Sequence, residues 1–376
     1  MQRFIEFYIL RMHKRIFYII AFLTFSLNVV AQHEEEHVKD EHATTTEHHE
    51  ELSFKDKIKE NIMHHLKDSH DFIFFSDSKT GKHYGFSLPV ILWDEGLKIF
   101  SSSKFHHGET LAEVDGNHYK LYHSKIYKTD ANGTIEYDDH HHPTNVRPLD
   151  FSITKSVLSM MIMVALMLWL FISMAKSYVK NNGIPKGVAG FLEPIILYIR
   201  DDIAIPNIGE KHHGKYMNYL LTVFFFVWFF NLIGLTPLGI NVTGNIAITF
   251  GLAIITFFIT QFTANANYWK HIFWMPGVPV PMKIILAPIE LLGVIIKPFA
   301  LMIRLYANIS AGHIVLMSLI GLIFVFQNWV GSSLTFFLAF AISLIELLVA
   351  LLQAYIFTML SALYFGFAVE EHDDAH

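Results

Sequence analysis

The chain has 376 residues, 52% of them hydrophobic and only 16% charged, with a net charge of −6 and no cysteine. A soluble domain of this size needs about a quarter of its residues charged, and nucleic-acid binding needs a basic face. Without cysteine, neither a disulfide nor a thiolate metal site can form. The charge deficit is uneven: residues 32–150 are crowded with His, Glu, Asp and Lys, while 151–369 holds long uncharged stretches. A polar domain followed by a membrane domain is expected, joined near Arg147 and Pro148.

Residues 1–31 read as a targeting segment. Arg11, Lys14 and Arg15 precede the apolar run Ile16–Ala31, and Val29-Val30-Ala31 supplies small residues before Gln32. That is the order of a secretory signal peptide. The other reading is an uncleaved anchor, but the run of sixteen residues falls short of the ~20 that a crossing helix needs. Export would place the polar domain outside the cytoplasm, in the periplasm of a bacterium. Residues 32–51, from His33-Glu34-Glu35 to His48-His49-Glu50, form a low-complexity tract. Imidazoles could gather metal there, yet its charge and lack of apolar residues favour a solvated linker. Within 52–147 a small α+β domain is expected. Phe54, Ile58, Ile62 and Leu66 recur every four residues, as on one helix face. Phe86–Phe100 and Tyr119–Tyr137 are β-rich and punctuated by turns, and Asn132-Gly133 predicts a hairpin between Ile126-Tyr127 and Ile135. His140-His141-His142-Pro143 reads as a linker towards the membrane.

Residues 148–376 form the membrane domain. Ser156–Ala175 is an uncharged run flanked by Lys155 and Lys176, long enough to cross once. Tyr216–Trp269 carries no charge, but Pro237 and the stretch Gly239–Asn245 divide it into spans near Tyr216–Thr236 and Ile246–Phe262. Ile284–Phe326 and Leu334–Val369 are longer apolar segments containing ionisable residues. Lys176, Lys180, Lys186, Arg200, Lys211 and Lys215 lie between the first two spans, and Lys270 and Lys283 between the third and fourth. Pro237–Asn245 and Gln327–Ser333 carry neither Lys nor Arg. The positive-inside rule then puts the first and third connections in the cytoplasm and the polar domain outside. As one helix, the 43 residues of Ile284–Phe326 would run about 65 Å against ~30 Å of hydrocarbon. Each long segment is thus either two spans or one limb of a steep hairpin.

Glu290, Lys297 and Arg304 are spaced seven apart and share a helix face, with Asn308 one turn on. Glu290 and Lys297 could pair or snorkel to an interface. Arg304 lies mid-segment, where a charge costs from ~3 to over 10 kcal/mol and persists only with an acidic partner or a wet cavity. Its pKa above ~12 keeps it charged, so it suits a gate or counter-ion rather than a proton carrier. His313, nine residues on, falls on the opposite side of the helix; Glu346 and Gln353 share a face of the last segment. Imidazole and a buried carboxylate can both exchange protons near neutrality, so His313 and Glu346 are the candidate carriers.

The stretch Ile303-Arg304-Leu305-Tyr306-Ala307-Asn308-Ile309-Ser310-Ala311-Gly312-His313 resembles the signature of subunit a of F-type ATP synthases. Leu351-Leu352-Gln353-Ala354-Tyr355-Ile356-Phe357 and Asn231-Leu232-Ile233-Gly234-Leu235-Thr236-Pro237 fit the same family, and the likeness runs from about Thr154 to the end. The resemblance implies an all-α polytopic protein with five transmembrane segments, the last two a long tilted hairpin, and a cytoplasmic C-terminus in a bacterial inner membrane. It implies two half-channels beside a rotating ring of c subunits, with subunit b and other stator subunits as further partners. It implies protons as cargo, no cofactor, no metal and no catalytic site of its own. Arg304 would keep the ring carboxylate ionised and separate the half-channels, supported by Asn308 and Gln353. His313 and Glu346 would line the periplasmic inlet, with Glu290, Lys297 and Asn231 as possible supports. His313 and Glu346 are exchanged relative to many bacterial members, as in mitochondrial ones, and residues 32–150 are unexplained by the family. A proton-coupled secondary transporter with a metal-gathering exterior is the alternative; no internal repeat of the kind such transporters show is found.

Overall fold

A computed structural model of the chain describes residues 68–76, 83–108, 110–138, 142–236, 242–275, 278–326 and 328–370. The expected signal peptide, the His/Glu tract and the helix at 54–66 lie outside the described residues. The described N-terminal part is a small β domain, β1 (Asp71–Ser76), β2 (His83–Ser87), β3 (Pro89–Trp93), β4 (Leu97–Ser101), a 3-10 turn (Ser102–Gly108), β5 (Ala112–Val114), β6 (Asn117–Tyr122), β7 (Lys125–Thr129) and β8 (Leu149–Asp150). Antiparallel pairing gives three small sheets: β1–β2, β4–β3–β8 and β5–β6–β7. Alternate residues Val90, Leu92 and Phe100 turn inward and bury against Phe105, Ala112, Tyr119 and Ile126.

The expected hairpin at Asn132-Gly133 is a turn but not a strand connection. The Asp130 carboxylate accepts from the Thr134 backbone and hydroxyl, and Gly133 takes a positive φ, so the chain folds back locally. β7 instead pairs with β6 across His123 and Ser124, both at positive φ. Asn145 then holds the return segment by accepting from the Glu136 N–H and donating to the Lys128 and Thr134 carbonyls. His142 is part of that return loop rather than a free linker, its N–H donating to the Asp138 carboxylate.

The domain is tied to the first membrane helix. The Lys155 N–H donates to Ser69 O and the Ser156 N–H to Asp68 Oδ1, a carboxylate at a helix start that complements the helix dipole. His70 Nε2 and Asp150 Oδ2 stand 3.0 Å apart beside this junction.

Among the described residues eight helices come next: α1 (Lys155–Lys180), α2 (Val188–Tyr198), α3 (Ile205–Ile208, after a π-helical turn Ile199–Ala204), α4 (His213–Gly234), α5 (Ile246–Thr263), α6 (Ala266–Phe273), α7 (Val280–Val325) and α8 (Trp329–Val369). Five of them, α1, α4, α5, α7 and α8, are long and apolar enough to cross a membrane. Three starts carry side-chain caps: Thr154 accepts from the Val157 N–H, Asn245 from Ala247 and Asn328 from Val330. The two long segments are single helices. Pro288 and Pro298 sit inside α7 without ending it, and its 46 residues extend about 69 Å. A helix of that length fits ~30 Å of hydrocarbon only by lying steeply or projecting beyond it.

Lipid is as apolar as leucine, so close packing and polar contacts, not water exclusion, must join these helices. α4 is the central post, buried nearly all round from Tyr216 to Asn231. α8 turns a stripe of small residues, Ala350, Ala354, Ser361, Ala362 and Ala368, inward. Gly366 meets the Asn207 carbonyl so closely that a Cβ there has no room. Tyr216 stacks on Phe365 at 4.5 Å, and the Asn265 N–H donates to the Ala368 carbonyl, fixing the end of α8.

Candidate functional site

One face of α7 is left uncovered by the rest of the chain. Ile296, Ala300, Ile303, Arg304, Ala307, Asn308, Ala311 and Val315 are exposed at three- and four-residue spacing, the period of a single helix stripe. Most of these side chains are small or aliphatic; Arg304 carries the charge and Asn308 sits one turn further on. Among the described residues Arg304 has neither an ion-pair nor a hydrogen-bond partner, although Tyr364 on α8 lies within reach of its field. Gln353 is buried on α8 in the stripe formed with Ala350 and Ala354. Apolar residues such as Leu344, Leu348 and Leu351 extend the uncovered surface along α8.

On the other side of α7 lie a buried imidazole and, from α8, a carboxylate, with no hydrogen bond or ion pair between the two among the described residues. His313 is buried at 6% exposure. Glu346 reaches across from α8 to Gly312, whose position would put a Cβ 2.8 Å from Oε1. Both carboxylate oxygens are buried, and among the described residues neither accepts a hydrogen bond. One turn further along α8, the Ala350 carbonyl accepts from Asn231 Nδ2, while Asn231 Oδ1 accepts from the Thr243 hydroxyl. Asn231 thus joins α4, α8 and the segment leading into α5. The Ser310 hydroxyl donates to the Gly244 carbonyl at 3.4 Å, linking α7 to the same segment. This cluster lies towards the C-terminal half of α7, with His313 about 14 Å along the axis from Arg304.

A second polar region lies towards the N-terminal half of α7. Lys297 does not pair with Glu290; its ammonium stands over the rings of Tyr364 and Phe367 at 5.8 and 5.7 Å. Seven helical residues separate the two charges, a rise of about 10 Å, which accounts for the missing pair. Glu290 is half-buried and acts electrostatically on Tyr268 of α6. Lys297, Gln261, Tyr268, Thr260 and Tyr364 line a shallow cleft. There Gln261 donates to the Tyr268 hydroxyl, while its Oε1 is buried without a hydrogen bond among the described residues.

The arrangement combines a fixed positive charge with two groups able to exchange protons. An arginine cannot release a proton, whereas an imidazole and a carboxylate can; Arg304 and His313 lie on different sides of α7, and Glu346 comes from α8. Gly312, Thr243, Gln261 and Tyr268 were not foreseen from sequence. The absence of a side chain beside His313 was the one available signal for Gly312; the others are joined only by tertiary packing. Among the described residues no three His, Asp or Glu gather as metal ligands. His33-Glu34-Glu35-Glu36-His37 has zinc-peptidase spacing, but a repeat of His and Glu produces it by composition, and it lies outside the described residues.

Residues 157–366 match the family model described as ATP synthase A chain, and residues 61–151 match a domain of unknown function (DUF8433). ATP synthase subunit a of Chloroherpeton thalassium is 44% identical over 237 residues, 60% of this chain and 70% of that protein. Subunit a of Myxococcus xanthus is 43% identical over 235 residues, covering 60% and 77%. ATP synthase subunit a 2 of Prosthecochloris aestuarii is 37% identical over 311 residues, covering 78% and 94%.

Proposed function

The chain belongs to the ATP synthase A chain family, and from that premise we propose that it is the proton-translocating subunit a of a rotary F-type ATP synthase. One observation carries the reading: Arg304 lies on an apolar, uncovered helix face without a counter-charge among the described residues. An unpaired arginine there costs several kcal/mol (from about 3 upwards), so its partner must come from another subunit. A ring of c subunits bearing a carboxylate at this depth supplies that charge, and the small Ala300, Ala307 and Ala311 let its helices approach closely.

The two polar regions then serve as half-paths. His313, Glu346, Asn231 and Thr243 form the inlet on the side of the α4–α5 connection, which carries neither Lys nor Arg. Lys297, Gln261 and Tyr268 line the opposite route, next to the connection holding Lys270 and Lys283. The charge rule makes the first side periplasmic and the second cytoplasmic. It puts the N-terminal β domain in the periplasm and the C-terminus in the cytoplasm of a bacterial inner membrane. Subunit b and the remaining stator subunits would hold this chain against the torque of the ring. Asn308 and Gln353 would orient Arg304. The transporter alternative is not favoured, since the family match spans the whole membrane region.

Depleting this chain should remove ATP-driven acidification of inverted membrane vesicles while ATP hydrolysis by the detached catalytic sector persists. Vesicles that acidify at the normal rate without it would overturn the reading.

A further inference from the structure

The sheet β4–β3–β8 has one face filled and, among the described residues, one left open. Val90, Leu92 and Phe100 on the inner face pack into the domain core. Side chains alternate along a strand, so Ile91 and Trp93 of β3, Leu97 and Ile99 of β4 and Leu149 of β8 point the other way. The register sets them in rows. Trp93 stands opposite Leu97 on one side and Leu149 on the other, and Ile91 stands opposite Ile99. The Phe151 N–H donates to the Ile91 carbonyl, which brings Phe151 into the second row. Leu97, Trp93, Ile99 and Leu149 are 58%, 56%, 62% and 53% exposed. Together the two rows leave an apolar patch on the order of 500 Å², near the upper end of what the surface of a monomer leaves bare.

We propose that this face is the docking site of an amphipathic helix of the same chain, residues 54–66, whose apolar stripe is Phe54, Ile58, Ile62 and Leu66. The segment lies outside the described residues, and its attachment point, spacing and size select it. The described chain starts at the corner where β8 passes into α1: Asp68 Oδ1 accepts from the Ser156 N–H, and the Ser69 carbonyl from the Lys155 N–H. Leu66 is therefore within ~7 Å of Asp68, and Phe151 stands only four residues before Lys155. Apolar residues four apart on a helix rise about 6 Å, and same-face residues two apart on a strand about 6.6 Å. The stripe thus meets the sheet row by row, Ile62 over the Phe151–Ile91–Ile99 row and Ile58 over the Leu149–Trp93–Leu97 row. The match to the domain of unknown function begins at residue 61, so Ile62 and Leu66 fall in the same unit as the strands. The patch is short of the ~800 Å² per partner of a stable protein interface, whereas one short helix fills it. Docking there gives the sheet the second layer that an apolar face requires.

The absence of cysteine from the chain makes introduced thiols clean reporters. In the intact complex in lipid nanodiscs, Ile99→Cys should react with a water-soluble maleimide at least about tenfold more slowly than Glu113→Cys, an exposed position on β5. Adding Ile62→Asp should raise the Ile99→Cys rate to that of Glu113→Cys. Ile62→Cys combined with Ile99→Cys, or with Phe151→Cys, should close a disulfide under mild oxidation, and Ile62→Cys with Glu113→Cys should not. Fast reaction of Ile99→Cys in the otherwise unchanged chain would leave the face in water. Slow reaction that Ile62→Asp does not relieve would give the face to lipid or to another protein. Either result overturns the docking, and if Ile62→Asp prevents assembly, failure of both disulfides does so alone.

Discussion

Arg304→Lys should abolish ATP-driven proton pumping in inverted vesicles, a fall of at least about a hundredfold, although lysine keeps the nominal charge. The physical difference lies in how the two cations respond to an apolar surface. A lysine held away from water can drop its pKa to about 5–6 and lose its proton, whereas the guanidinium stays charged above ~12. The face around Arg304 is built from Ile296, Ala300, Ile303, Ala307 and Ala311, with Asn308 as its one neutral polar side chain. Arginine also presents a planar fork that can hold a carboxylate through two donors at once, and lysine cannot reproduce it. A loss of about 2.7 kcal/mol in charge stabilisation corresponds to about a hundredfold, less than the range quoted for a midplane charge. Normal pumping by the Arg304→Lys protein would remove Arg304 from the mechanism.

Glu346→Gln should cost roughly a hundredfold in pumping, the scale of losing a positioned proton-transfer group, while the folded complex persists. The carboxylate lies against Gly312 with both oxygens buried, so glutamine fits the same space and leaves the helix contact in place. What it removes is the ability to gain and lose a proton. If His313 and Glu346 belong to one path, the paired exchange His313→Glu with Glu346→His should restore more activity than either single change. A static strut between α7 and α8 predicts the reverse: Glu346→Gln would pump almost normally.

Much of the site could be read in the sequence because it rests on helical periodicity. Arg304 and Asn308 one turn apart, and His313 about half a turn of phase away, are facts of 100° per residue; the structure exposes the first two and buries the third. Five spans came from uninterrupted apolar runs. Single long helices did not come from the runs alone, because Pro288 and Pro298 read equally well as breaks; in α7 they are absorbed within one helix. The contacts across helices were invisible for a different reason. Gly312 with Glu346, Thr243 with Asn231, and Lys297 over Tyr364 and Phe367 join residues 12 to 70 positions apart, where periodicity carries no information. Asn132-Gly133 misled because Asp130 and Asn145 use their side chains to close a loop, and a turn signal does not say which strands it connects.

The claim at the centre is that the uncovered face of α7 bearing Arg304 meets a ring of carboxylate-bearing subunits rather than lipid or another stator chain. A photoactivatable phenylalanine at Ile303, beside Arg304 on that face, tests it in intact membranes. Irradiation should join this chain to a small two-helix subunit that assembles as an oligomeric ring, and the adduct should vanish when the label is moved to the buried Leu305. Adducts only with lipid, or only with a single-copy subunit, would contradict the account.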